Sequence, residues 1–558
     1  MKKVVALLLA MVLAIGLLSG CGSKGKEEGQ GGQKQENQEG QGENAGGSSE
    51  GTDAAPENVA TRDYFPLAEK DELSIWYWFS NSYITDPNEL YAFQWLEEQT
   101  NVHINFQVVT AAEANEKFGL MLAAGSYPDI IRACNGYYPG GLEKAVTDGV
   151  AIELTDLIPK HMPNYEKIRH SSELLEKNTK TDDGKLVGIW SIASNNLEPQ
   201  GEMMWTGLVV RRDWLNELNM EAPVTISDWD TMLYAFKENY NCEAPLMLAK
   251  DGVNTTGAFL TAYGVYPEWY QVDGKILYGP MQDGYKEYLE LMARWYADGI
   301  IDPNFVTNDG DIASPNEYLG TGRAGAGGTI WNNAADAYKT QGFTDDEDFY
   351  LQAVPSPVLN EGEHAGNAFV SASSVTKEAH VITSSCKNVE LALRWMDMWY
   401  EDDVTLVCSY GKEGESYVVN ADGTYSFTDE VMKNPDYSPM DTLKVKWTPT
   451  NSDMGLFNWA YYEPLYSDSE SFQAEYVWNQ DDMKDSISTS VSMTEEENNE
   501  YSTLYTDIKT LVDEMTVKFI MGSEPLDKFD SFRDGLKNYG VDRCAELWQA
   551  AYDRYLAR

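Results

Sequence analysis

The chain has 558 residues, and 41 Lys and Arg against 90 Asp and Glu give a formal net charge of −49. A phosphate-neutralising surface needs clustered Lys and Arg, so this balance argues against a nucleic-acid partner. Hydrophobic residues at 42% and charged residues at 23% let most of the chain bury a core, and length alone suggests about three or four domains. Aromatic residues make up 12%, with 16 Trp, 34 Tyr and 17 Phe. High acidity with abundant Trp is the feature to be explained.

The N-terminus reads as a targeting segment. Lys2 and Lys3 precede an apolar run from Val4 to Leu18, too short to span a bilayer at about 20 residues per helix. The run ends in Leu18-Ser19-Gly20-Cys21, which resembles a bacterial lipobox and makes Cys21 the expected lipidation site. Residues 1–20 are read as the signal peptide. Their removal deletes two Lys and no acid, taking the charge from −49 to −51. So acidic a body is repelled by anionic head groups, and membrane attachment is expected to be covalent, through the lipid. Residues 21–61 carry a Gly, Gln, Glu and Ser-rich stretch with no aromatic residue before the folded part, the composition of a disordered tether. Its root-mean-square reach is about 35 Å.

The folded part begins near Arg62. Leu73–Phe79 alternates and is rich in aromatics, predicting a strand. Asp86-Pro87 opens a helix ending near Asn101, and Val102–Val109 is a second strand. A helix over 110–124 stops at Gly125, and Tyr127–Ile131 is a third strand. This alternation predicts a parallel sheet with helices on its faces. Later helical stripes lie at Tyr285–Tyr296, Val389–Trp399 and Leu504–Phe519, and they read as core. The cysteines after Cys21 are scattered at 134, 242, 386, 408 and 544. They lack any CxxC pair, so they read as buried small hydrophobes rather than zinc ligands.

Motifs that would carry catalysis sit in the wrong context. Gly320-Thr321-Gly322-Arg323-Ala324-Gly325 matches a dinucleotide loop, but a helix end precedes it and a strand follows. Gly47-Ser48-Ser49-Glu50-Gly51 falls in the tether, where no strained elbow can form. The histidines at 103, 161, 170, 364 and 380 have no tight metal-ligand spacing. Neither a cofactor nor a catalytic residue nor a metal site is expected.

Several segments resemble extracellular solute-binding proteins of carbohydrate ABC importers, in the lipoprotein branch of the family. They are Leu122–Ile131, Val209-Val210-Arg211-Arg212-Asp213-Trp214-Leu215, Pro223-Val224-Thr225 with Trp229, Asp273–Ile276, Tyr296–Ile301 and Ala551–Tyr555. The resemblance covers roughly residues 70–558 in order. It implies a two-lobed, type II periplasmic-binding-protein-like α/β fold, each lobe a sheet flanked by helices, with hinge crossings. By analogy with maltose-binding proteins, lobe one is placed at 62–195 and 350–405, and lobe two at 196–349 and 406–558. It also implies an oligosaccharide ligand in the cleft between lobes, delivery to the importer's permease subunits, and no catalysis. With no oligomer signal in the sequence, a monomer is expected. A surface glycoside hydrolase or lyase is one alternative, and a peptide or other small-solute binder of the same fold is another.

Sugars stack C–H faces on aromatic rings and bond hydroxyls to planar polar groups, and the ligand crevice of an open α/β sheet lies beyond the strands' carboxyl ends. This rule selects Trp78, Phe79 and Asn81 after the first strand, and Asn135 and Tyr137 after the third. It selects Trp331 and Asn332 after Gly328-Thr329-Ile330, a segment that resembles the sugar-stacking Gly-Pro-Trp of maltose-type proteins. Trp190 and Trp205 sit near an expected lobe crossing, and Trp459 and Tyr461 form a late aromatic cluster. Asp213 and Trp214 are read as structural.

Overall fold

In the computed structural model the described residues are 60–79, 81, 83–110, 112–195, 198–199, 206–248, 257–307, 317–330, 342–366, 376–449, 454–466, 474, 476–481 and 484–558. Cys21, the signal segment and nearly all of the tether lie outside them, as do Trp205, Trp331 and Asn332.

The strands are β1 (Asp71–Trp78), β2 (Val102–Val109), β3 (Ile130–Ile131), β4 (Ile189–Asn195), β5 (Glu198–Pro199), β6 (Thr206–Arg211), β7 (Trp269–Val272), β8 (Lys275–Tyr278), β9 (Ala326–Ile330), β10 (Leu351–Val354), β11 (Thr376–Ile382), β12 (Tyr417–Val419), β13 (Tyr425–Phe427) and β14 (Leu456–Asn458). A large sheet has the order β14-β4-β11-β3-β1-β2, with β5 paired to β4. A second sheet has the order β10-β6-β9, and β7–β8 and β12–β13 are hairpins. In the large sheet β1 runs parallel to β2 and β3, β14 runs parallel to β4, and β11 is antiparallel to both β3 and β4. The three-stranded sheet is antiparallel throughout.

The sequence explains the first βαβ unit. β1 buries Ile75 and Tyr77 on one face and Trp76 on the other, so helices cover both sides, as a parallel sheet requires. Asp86 caps the turn Pro87–Glu89, and the helix Tyr91–Thr100 ends at Asn101 in the left-handed region. The helix Ala114–Ala124 stops at Gly125, φ 62°. The third strand is shorter than its apolar pattern predicts. Pro128 has no N–H to give a ladder, and Asp129 turns its carboxylate onto the Ser74 N–H at 2.8 Å and hydroxyl at 2.6 Å. The later stripes form the helices Asp283–Ala297, Val389–Met398 and Glu495–Ile520, the last opened by a Thr494/Glu497 capping box. The Gly320 motif lies between the helix Glu317–Gly320 and β9, the context expected of a helix stop.

Each sheet has its own core. The large sheet packs Ile75, Tyr77 and Ile189 against the helices carrying Phe93, Trp395 and Trp399. The small sheet packs Leu208 and Val210 against Trp229, Met292, Trp295 and Ile508. A third cluster takes Ala193 and Phe457 from the large sheet and Val209 and Leu351 from the small one, filled in by Trp447, Trp459 and Trp478. β10 pairs with the small sheet and β14 with the large one, so neither position 350 nor position 406 coincides with a change of sheet.

The start of the folded part is clasped to the large-sheet core. Asp397 is fully buried and accepts from the Thr61 hydroxyl and from the backbone N–H groups of Asn164 and Tyr165. Arg62 bonds Glu401 and Asp403 alongside.

β14 is held by a close backbone approach. A Cβ on Gly455 would stand 2.0 Å from the Trp399 carbonyl oxygen, and the Gly455 carbonyl accepts from Ile192 N–H at 2.8 Å. Gly455→Ala must therefore push the start of β14 away from the Trp399 carbonyl. A loss of about 1–3 kcal/mol in urea unfolding is expected, and an unchanged midpoint would show that the approach is not needed.

Candidate ligand-binding site

Strand direction selects one edge of the large sheet. β1, β3, β4 and β14 all run the same way, so Trp78, Ile131, Asn195 and Asn458 end at the same edge. β11 runs against them and begins there with Thr376. In open α/β sheets the crevice beyond such carboxyl ends receives the ligand.

Arg132 follows β3 directly and organises this edge. Its side chain is only 3% exposed, and its Nη2 pairs with Glu378 at 2.9 Å. The guanidinium lies 5.0 Å from the ring centre of Tyr77 and 5.2 Å from that of Trp78, and Nη1 donates to the Trp78 carbonyl. The pair thus joins the end of β1, the turn after β3 and the beginning of β11.

The turn itself is pinned from β11. Ala133 sits in the left-handed region at φ 54°, unusual for a residue with a Cβ. Its N–H donates to His380 Nδ1 at 3.1 Å, and His380 Nε2 lies 2.9 Å from Ser191 Oγ. Because Nδ1 accepts, the ring proton sits on Nε2 and is donated to Ser191. Complete burial, with the positive Arg132 nearby, holds the imidazole pKa well below the ordinary 6.5. Asn135 Oδ1 accepts from Ala379 N–H at 2.8 Å, a further bond from the turn to β11.

The residues selected from the sequence fall into different surroundings. Trp78 is half-buried beneath Arg132, and Tyr137 is half-buried with its ring 5.1 Å from Trp76. Burial, then the charge of Glu378, raises the Tyr137 hydroxyl pKa. Asn135 is exposed. These three gather around the Arg132–Glu378 pair. Asn81 works as a turn bracket, donating to Lys444 O at 2.7 Å and accepting from Tyr83 N–H at 2.8 Å. Trp190 lies within β4 as its second residue rather than beyond a strand end, and is half-buried against both faces of the large sheet. Phe79 is buried in the large-sheet core. Trp459 and Tyr461 are buried in the third cluster, in the short turn Trp459–Tyr461 after β14. Trp214 is core as read, stacked 3.9 Å from Tyr240. Trp331 and Asn332 follow β9 immediately in sequence and, like Trp205, lie outside the described residues.

Arg132, Ser191, Glu378 and His380 escaped the sequence reading. A cation directly after the apolar Ile130-Ile131 was a usable signal for Arg132. No local pattern marks the other three, because their partners are remote in sequence.

Comparison with known proteins agrees with this architecture. The family profile of the bacterial extracellular solute-binding proteins matches residues 81–405. The chain belongs to that family. It is 24% identical over 535 residues to the fructooligosaccharide ABC transporter substrate-binding protein FusA of Streptococcus pneumoniae, covering 91% of this chain and 95% of that protein. It is also 24% identical over 503 residues to the polygalacturonan/rhamnogalacturonan-binding protein YtcQ of Bacillus subtilis, covering 85% of this chain and 90% of that one. Among solved structures it resembles an HMO-binding, ABC-transporter-associated solute-binding protein from Bifidobacterium longum infantis. That match has a TM-score of 0.67 and 18% identity, over 87% of this chain and 99% of that one. The fold is therefore the two-lobed α/β fold expected of this solute-binding family. Among the described residues no group of three or more His, Cys, Asp or Glu is placed to hold a metal ion, and Cys134, Cys242, Cys386, Cys408 and Cys544 are free thiols.

The buried imidazole makes this solute-binding protein sensitive to acid in a defined direction. His380 stays neutral in the fold while the unfolded chain protonates near 6.5, so the unfolded state binds more protons below that value. The His380 contribution is complete above pH 6.5 and is lost as the pH falls below it. Unfolding of wild type and His380→Gln, compared from neutral pH down to about pH 5, should show a steeper acid loss in the wild type. Parallel curves would remove His380 from the account.

Proposed function

We propose that this solute-binding protein captures an oligosaccharide between its lobes and hands it to the permease of an ABC importer, while held to the outer face of the cell membrane by lipid on Cys21. Family membership carries the solute-capture part. The sugar part is supported by two relatives, matched along most of their length, whose names specify glycans. It is also supported by the aromatic and charged grouping of Trp78, Tyr137, Arg132 and Glu378 at the carboxyl edge of the large sheet. Lipid attachment rests on the lipobox-like Leu18-Ser19-Gly20-Cys21, and the protein is expected to act as a monomer.

The strand pairing suggests a working division. Lobe one holds the large sheet, including β11 and β14, and lobe two holds β6, β9, β10 and the C-terminal helices. The segments leading from β4 to β6, from β10 to β11 and from β14 to the C-terminal helices are then crossings. From the sequence, Trp331, the residue after β9, is proposed to stack on the ligand, with Trp205 and Asn332 as further ligand contacts.

The protein binds and releases its ligand without turnover. Calorimetry against a panel of oligosaccharides and of peptides tests the assignment. Reversible heat with at least one glycan is expected; heat with peptides alone would move the protein to another solute. Prolonged incubation with a bound glycan should leave its reducing ends unchanged, whereas new reducing ends would make it a hydrolase or lyase. Trp331→Ala should weaken glycan binding by about 1–3 kcal/mol with little change in unfolding. An equal loss in stability would mark the ring as core.

A further inference from the structure

We infer that the ligand is an uncharged, hydroxyl-rich oligosaccharide, and that Glu378 excludes uronic-acid glycans. This inference rests on the carbohydrate-binding reading above and narrows it.

A carboxylated sugar entering a desolvated crevice needs a cation free to meet it. Among the described side chains at this edge the cation is Arg132, directly after β3, and it is already committed. Its Nη2 holds Glu378, its Nη1 holds the Trp78 carbonyl, and its flat face lies against the rings of Tyr77 and Trp78. The two members of the pair also differ in exposure. The Arg132 side chain is 3% exposed and that of Glu378 is 36% exposed. An incoming group therefore meets the carboxylate before the guanidinium. An ionised carboxylate only accepts hydrogen bonds, so it welcomes sugar hydroxyls, which donate, and repels a uronate.

The whole chain, at −49, adds a long-range field of the same sign as the Glu378 carboxylate.

The test is calorimetry on the intact protein with matched probes: nystose, xylotetraose and mannotetraose as neutral glycans, and tetragalacturonate as the uronate. At least one neutral glycan should bind, with tetragalacturonate at least about 100-fold weaker. The neutral affinity should be unchanged from about 0.05 to about 1 M salt. Glu378→Gln should narrow the neutral-to-uronate ratio by about 10-fold, and an unchanged ratio would overturn the role given to Glu378. Tetragalacturonate binding as tightly as the neutral glycans would overturn the inference while leaving carbohydrate capture intact. Binding by neither class, with peptides bound instead, would defeat the carbohydrate reading itself. The wild-type ratio decides the matter even if the variant fails to fold.

Discussion

The large sheet depends on β11 lying between β3 and β4. β3 has two residues, too few to hold a sheet together through its own ladder, and β11 supplies the antiparallel partner on its open side. The same strand pairs with β4 and so joins the β1–β2–β3 half to the β4–β14 half. It reaches that position only after the chain has built the second sheet. The first half of the molecule is thus completed by residues about 250 positions downstream of β3, a long loop closure that must be offset by burial.

The strand that completes the sheet also builds the candidate site. Glu378 takes the Arg132 guanidinium, Ala379 N–H takes Asn135, and His380 holds the Ala133 N–H and Ser191. Three successive residues of β11 therefore fix one turn after β3. That arrangement ties the candidate site to the strand that follows the small sheet in the chain. The charge order at the edge follows as well, because β11 presents Glu378 outward of Arg132 and makes the accessible member of the pair an acceptor.

The aromatic excess has two uses. Trp229, Trp295, Trp395, Trp399, Trp447 and Trp478 are among the largest fully buried side chains, and they fill the gaps between helices and sheets. Few of the rings at strand ends escape the same fate. Trp459 follows β14 in the right place yet is buried, because the third cluster continues from the large sheet to the small one beneath that turn. Trp78 differs because it is only half-buried against its apolar neighbours and also carries the Arg132 guanidinium 5.2 Å from its ring centre.

The sequence alone determined the local architecture of the folded part and set the expectation of export. Period-two runs at 71–78 and 102–109, capping at Asp86 and a glycine stop at Gly125 are local preferences, legible because each is settled within a few residues. The basic start, apolar run and Cys21, with a charge of −49, pointed outside the cell by the same short-range chemistry. Tertiary structure decided what those residues could not: the shortness of β3, the pairing of β10 with the small sheet and of β14 with the large one, and the Arg132–Glu378–His380 constellation. These depend on pairings between segments hundreds of residues apart, where burial and hydrogen-bond satisfaction are resolved only once both partners are in place. Whether a ring at a strand end meets ligand or core is decided at that same level, by what packs over it.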